Sequence, residues 1–165
     1  MIVDTMSHST EIERKFLVDP SHLDRLAQEP GVFIKQGYLS THPNATVRIR
    51  IKGEHAFLTV KGKTTGISRT EIETSIDLAA AQALFDAFIA NEVQKIRREI
   101  LFEGKTWEVD EFLGRHKGLW IAELELASEQ ETFMMPLWLG REVSDQACYF
   151  NSFLADHGLN GVPLL

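Results

Sequence analysis

Residues 11–18 read Glu11-Ile12-Glu13-Arg14-Lys15-Phe16-Leu17-Val18. Successive side chains of a strand point to opposite faces, so this stretch sets Glu11, Glu13 and Lys15 on one face against Ile12 and Phe16 on the other. The same pattern returns along the chain. Arg48, Arg50 and Lys52 lie opposite Val47, Ile49 and Ile51. Thr59, Lys61 and Lys63 lie opposite Leu58 and Val60, and Arg69, Glu71 and Glu73 lie opposite Ile72. Lys95, Arg97 and Glu99 lie opposite Ile96 and Ile100, Glu108 and Asp110 opposite Trp107 and Val109, and Glu123 and Glu125 opposite Leu124 and Leu126. A solvated sheet face explains any one of these strands. It explains the set less well, because wet faces usually mix Thr, Ser, Gln and Lys, whereas these carry nearly pure acidic or basic pairs.

Turn signals divide the chain into short segments. Strands are expected over about 11–18, 33–41, 46–52, 55–61, 68–76, 92–102, 105–112 and 119–127, with tight turns at Gly53-Glu54 and Glu103-Gly104. Asp77 is a good N-cap for a helix over 78–90. Short helices are expected over 21–28 and from Ser128 toward Met134, where Pro136 ends the run, and a last helix from Ser144 to about His157. About eight closely spaced strands without regular strand–helix alternation suggest an antiparallel barrel or sandwich.

The 165 residues suit a single domain with its own core. A net charge of −7 argues against general nucleic-acid binding. The lone Cys148 excludes an internal disulfide and points to a reducing, cytoplasmic setting. The first ten residues lack a signal-peptide pattern, and no run approaches the ~18 apolar residues of a membrane span.

If the charged faces turn inward in a closed sheet, they must be paired or bound to ligand. Carboxylates without His or Cys select hard cations such as Mg²⁺ or Mn²⁺. Arginine forks bind phosphate oxygens in pairs, and lysine adds compact positive charge. The matching ligand is a polyanion accompanied by divalent cations.

At Glu11-x-Glu13-x-Lys15 the sequence resembles the CYTH, or triphosphate tunnel metalloenzyme, superfamily, and the string from Glu11 to Val18 resembles its small bacterial members. Further matching stations follow in order: Gln36-Gly37-Tyr38-Leu39, Arg48-x-Arg50, Leu58-Thr59-Val60-Lys61, Arg69-x-Glu71-x-Glu73, Lys95-x-Arg97, Glu108-Val109-Asp110 and Glu123-x-Glu125. Asp145, Tyr149 and Asn151 are similar to the family's C-terminal helix, although Ala147 and Cys148 stand where relatives often carry Lys or Arg. The resemblance implies an α+β, mainly antiparallel fold: an eight-stranded closed tunnel barrel with flanking helices over 10–165, preceded by a flexible N-terminus at 1–9.

It also implies hydrolysis of the terminal phosphate of a triphosphate, inorganic tripolyphosphate first. A class IV-type adenylyl cyclase, a thiamine or nucleoside triphosphatase and a non-catalytic polyphosphate or nucleotide sensor are the alternatives. Glu11, Glu13, Glu123 and Glu125, with Asp110, Glu71 and Glu73, become the metal ligands. Arg48, Arg50, Lys61, Lys95, Arg97 and Arg69 become the triphosphate grip, with Lys15 against a terminal phosphate and Lys15, Glu11 and Glu13 in the catalytic role. The cofactor is Mg²⁺ or Mn²⁺. The partner is a small-molecule triphosphate, with no nucleic acid or membrane, for a monomer or homodimer.

Overall fold

The computed structural model describes residues 7–165. Its order is β1 (Ser7–Val18), α1 (Leu23–Leu26), β2 (Val32–Ser40), β3 (Ala45–Lys52), β4 (His55–Gly62), β5 (Ser68–Ile76), α2 (Leu78–Phe88), β6 (Glu92–Phe102), β7 (Lys105–Phe112), β8 (Trp120–Glu125), β9 (Leu139–Glu142) and α3 (Asn151–His157). All strand pairings are antiparallel. The strands run β5-β4-β3-β2-β6-β7-β8-β1 around a ring that closes where β1 also pairs with β5. The first strand makes the closure by serving two neighbours: Ser7 to Ile12 pair with β5, and Glu13 to Leu17 pair with β8. A closed ring leaves no exposed edge among its members.

Local chemistry accounts for the turns. Gly53 takes φ +59° at the first turn position after β3, and Glu103 and Gly104 take φ +47° and +76° between β6 and β7. Positive φ at these positions matches the right-handed twist of hairpin strands. The Asp77 side chain accepts from the Ala79 amide and caps α2 as the sequence predicts.

Three differences from the sequence expectation stand out. The first strand begins at Ser7, so residues 7–9 belong to the barrel wall; the rest of the expected flexible 1–9 segment lies outside the described residues. No helix forms over 128–134. That stretch instead crosses the outside of the barrel so that Phe133 and Trp138 reach Trp107, with ring centroids 5.5 Å away in each case. It then returns as a ninth strand, β9, on the Phe16–Val18 end of β1. The last helix is also broken, because Phe150 is extended (φ −72°, ψ 137°) and α3 starts only at Asn151. The pull comes from Tyr149, fully buried, which donates to the Pro163 carbonyl at 2.6 Å and accepts from Arg141 at 3.1 Å.

The apolar faces of the strands point outward and are covered. One layer packs Phe16, Trp107, Ala122 and Leu124 against Leu26 and Trp138, and another packs Ile49 and Ala56 against Ala81 and Phe85 of α2. A third cluster has a different role. Leu17, Val93, Phe112 and Ile121 share strand faces with the charged residues, and they pack on Tyr149, Leu154 and Ala155. They stop one end of the barrel with an apolar plug. No described helix is long and apolar enough to cross a membrane.

Candidate active site: a charged lumen

Alternation along the strands now has a spatial meaning. Glu11, Glu13 and Lys15 from β1, Arg48 and Arg50 from β3, Lys61 from β4, Arg69 and Glu71 from β5, Lys95 and Arg97 from β6, and Glu123 and Glu125 from β8 all line one cavity of about 240 Å³. The sequence-expected grip residues and the two outer acidic pairs therefore meet inside the barrel. Among the described residues, neither His nor Cys lines the cavity.

The interior charges hold one another. At the plugged end, Lys95 lies 2.5 Å from Asp110, and Arg97 grips Asp110 through two contacts of 2.6 Å while also reaching Glu123 at 2.9 Å and Glu108. Lys15 donates to Glu123 at 2.5 Å and to Glu13 at 2.7 Å. Across the lumen, Glu73 accepts from Arg50 at 2.9 Å and from the Thr59 hydroxyl at 2.6 Å, with Arg48 at 3.4 Å. Lys61 joins Glu11 at 2.8 Å and Glu71 at 2.5 Å, and Arg69 joins Glu11 at 2.7 Å.

Proton affinities follow from this packing. Burial alone would raise the Glu123 pKa, but Lys15 and Arg97 outweigh it and hold that carboxyl well below the usual range. Burial pulls Lys15 down, yet Glu123 and Glu13 lift it above its ordinary value. Lys95 goes the other way: burial and then Arg97 push it down to about 8 against the pull of Asp110. Burial raises the Tyr38 phenol to about 12. The Tyr38 hydroxyl accepts from Gln36 at 3.0 Å.

Two expected metal ligands sit elsewhere. Neither Asp110 nor Glu73 lines the cavity. Asp110 is 1% exposed behind Lys95 and Arg97, and Glu73 is held by Arg48, Arg50 and Thr59. Both aim bases into the lumen. Glu108 does line it. Tyr38, part of the matching Gln36-Gly37-Tyr38-Leu39 station, lines the wall, and sequence reasoning left out most of its other neutral members, Thr46, Ser144, Phe150, Asn151 and Ser152. Ser144 is fixed there by accepting the Lys15 amide at 2.9 Å and donating to Glu142 at 2.7 Å. No charge alternation marks these positions. Only the resemblance of the C-terminal segment pointed to Asn151.

The donor set suits a hard divalent cation. Glu13 faces Glu125 directly across β1 and β8, and Glu123 faces Glu108 across β7 and β8. Like charges in cross-strand register repel unless a cation lies between them. Glu125 has no ion pair or hydrogen bond among the described residues, and burial together with Glu11, Glu108 and Glu13 raises its pKa. As they stand, the described carboxylates form no converged metal cluster, because lumen bases occupy most of them. The oxygens fit the cation in kind and register, and its arrival requires those bases to let go.

A closed antiparallel barrel with an inward-facing lattice of carboxylates and bases, plugged at one end, defines a tunnel-type barrel built around charged cargo. The CYTH domain model matches residues 9–151, and the chain belongs to the CYTH domain family. A protein of Acetivibrio thermocellus named inorganic triphosphatase is 44% identical over 145 residues, covering 87% of this chain and 92% of its own. One of Nitrosomonas europaea with the same name is 37% identical over 150 residues, covering 88% and 97%. A crystallised inorganic triphosphatase superposes with a TM-score of 0.61 at 34% identity, covering 89% of this chain and 95% of its own.

Proposed function

We propose that the protein hydrolyses the terminal phosphoanhydride bond of a triphosphate, with inorganic tripolyphosphate as the preferred substrate and Mg²⁺ or Mn²⁺ as cofactor, in a reducing cytoplasmic setting. The observation that carries this reading is the lumen itself, a dead-ended cavity in which Arg48, Arg50, Lys61, Arg69, Lys95, Arg97 and Lys15 face Glu11, Glu13, Glu123 and Glu125. The names of the two relatives support the same substrate.

Arg48 and Arg50 grip the phosphates, fixed in direction by Glu73 and Thr59. Lys95 and Arg97, fixed by Asp110, neutralise charge near the plug. Lys15 contacts a terminal phosphate oxygen. Glu11, Glu13, Glu123 and Glu125, with Glu71 beside them, hold the cation. When bound, the cation neutralises phosphate charge and lowers the pKa of a coordinated water. In the step itself a water oxygen bonds to the terminal phosphorus and the bridging P–O bond breaks. Orthophosphate and diphosphate leave, and the water proton is shed to solvent. Once the bases have exchanged carboxylate for phosphate oxygens and the cation is seated, the walls need little further reorganisation as charge develops.

The test is phosphate release from tripolyphosphate, ATP and thiamine triphosphate with Mg²⁺, Mn²⁺ or excess chelator, with products identified. Tripolyphosphate should be cleaved fastest, to orthophosphate and diphosphate, and only with metal. Cyclic AMP and diphosphate from ATP would point to a cyclase instead, and tight binding without turnover to a sensor.

A further inference from the structure

Among the lumen bases, Arg69 is placed differently from the rest. It stands directly across from Glu11 on the neighbouring strand. Its Nε donates to Glu11 at 2.7 Å and its Nη2 to Glu13 at 3.3 Å, so one guanidinium spans both carboxylates of the Glu11-Ile12-Glu13 segment. Lys61 shares Glu11 with Glu71, and Lys15 shares Glu13 with Glu123. Those two lysines keep another carboxylate whatever happens at β1. The ion pairs of Arg69 among the described residues are with Glu11 and Glu13 alone. Its side chain is 23% exposed and lines the cavity, so it has room to turn.

We propose that Arg69 is a positioning residue that serves as a stand-in cation, spanning Glu11 and Glu13 until a phosphate oxygen of the substrate claims its guanidinium and leaves both carboxylates, still reached by Lys61 and Lys15, open to a divalent ion. This rests on the assignment of Glu11 and Glu13 as cation ligands. The planar fork of arginine fits two carboxylate oxygens or two phosphate oxygens, but it serves one set at a time. While Arg69 stays on β1, a cation must compete with it for the same oxygens. Once Arg69 moves to phosphate, the facing Glu13 and Glu125 keep only Lys15 at 2.7 Å from Glu13 as a cationic partner, and a divalent ion is drawn in. Each ligand therefore favours the other through one side chain, and that coupling is reciprocal.

The account predicts opposite shifts from one substitution. In titration calorimetry with Mn²⁺ alone, Arg69→Met should bind the metal on the order of 10-fold more tightly than the wild type. With tripolyphosphate alone in excess chelator it should bind roughly 10-fold more weakly, about the worth of one charge-assisted hydrogen bond. Arg69→Lys, which keeps the charge without the fork, should move both affinities the same way by less, and it carries the test if Arg69→Met does not fold. Lys105→Met makes the same change in net charge outside the lumen, at the Glu131 ion pair, and should move neither. Unchanged or weakened Mn²⁺ binding in both Arg69 variants would overturn the proposal while leaving the hydrolytic reading intact. A wild-type chain that binds neither Mn²⁺ nor tripolyphosphate would overturn the cation-ligand assignment beneath it.

Discussion

The two ends of the lumen carry the same residue types and put them to different uses. Near the plug, Asp110 is 1% exposed and locked between Lys95 and Arg97, and Glu123 is pinned by Lys15 and Arg97. At the mouth, Glu125 has no partner among the described residues, and Glu11 and Glu13 are held by side chains that themselves line the cavity. Asp110, closed off from the cavity, is a structural counter-charge that aims bases, whereas Glu123 beside it lines the cavity and must exchange Lys15 and Arg97 for a cation. The mouth carboxylates are also free to change partner. On the proposed assignment, an acid that lines the cavity can turn to a cation and one closed off by bases cannot.

The contrast can be broken first by stability. Asp110→Ala leaves Lys95 and Arg97 buried without their shared counter-charge, and loss of one partner of a buried pair costs about 3–5 kcal/mol. Urea unfolding should show that loss, and a cost below about 1 kcal/mol would mean that water already screens the deep end.

A smaller effect separates the ends by pH. Lys95 holds its proton less tightly when folded, at about 8 against an ordinary 10.5. Between those values the unfolded chain keeps a proton that the folded chain has shed, so this group's contribution to stability rises with pH from about 8 to 10.5. Lys61 is shifted in the same direction, whereas Lys15, shifted up, contributes stability that is fully present below its ordinary value of 10.5 and is lost only as pH climbs beyond it. Lys95→Met should flatten the rise in melting temperature across that window in metal-free protein. An unaltered slope would remove Lys95 as its source.

The smallest expected effect on the fold lies at the mouth. Glu125→Gln should leave unfolding free energy within about 0.5 kcal/mol, since no ion pair is lost. It should still weaken Mn²⁺ binding roughly 10-fold, as befits one lost charged contact. Metal affinity equal to that of the wild type would exclude Glu125 from the cation's oxygens.

Much of this was readable from sequence because the barrel strands alternate without interruption. β5, β6 and β7 run over the residues that alternation assigns, and Gly53 and Glu103-Gly104 supply the turns between hairpin strands. The inward direction of the charged faces was legible only from the set, through the mismatch between pure charge pairs and a wet surface. What could not be read is the partner of each charge. Asp110 and Glu73 have the same spacing as the acids that line the cavity, and only the side-chain contacts set them apart, with Asp110 held by Lys95 and Arg97 and Glu73 by Arg48, Arg50 and Thr59. Residues 128–134 and 144–150 read as helix from sequence but form no α-helix, because their placement comes from contacts outside those stretches, Phe133 and Trp138 on Trp107 and Tyr149 on Pro163.

The division of labour between mouth and depth is tested most directly by a crystal soaked with Mn²⁺ and measured at a wavelength where manganese scatters anomalously. The account predicts a peak in the lumen, with oxygens of Glu11, Glu13, Glu123 or Glu125 as ligands and Arg69 turned away. A peak ligated by Asp110 beside Lys95, or none in the lumen at saturating metal and tripolyphosphate, would contradict it.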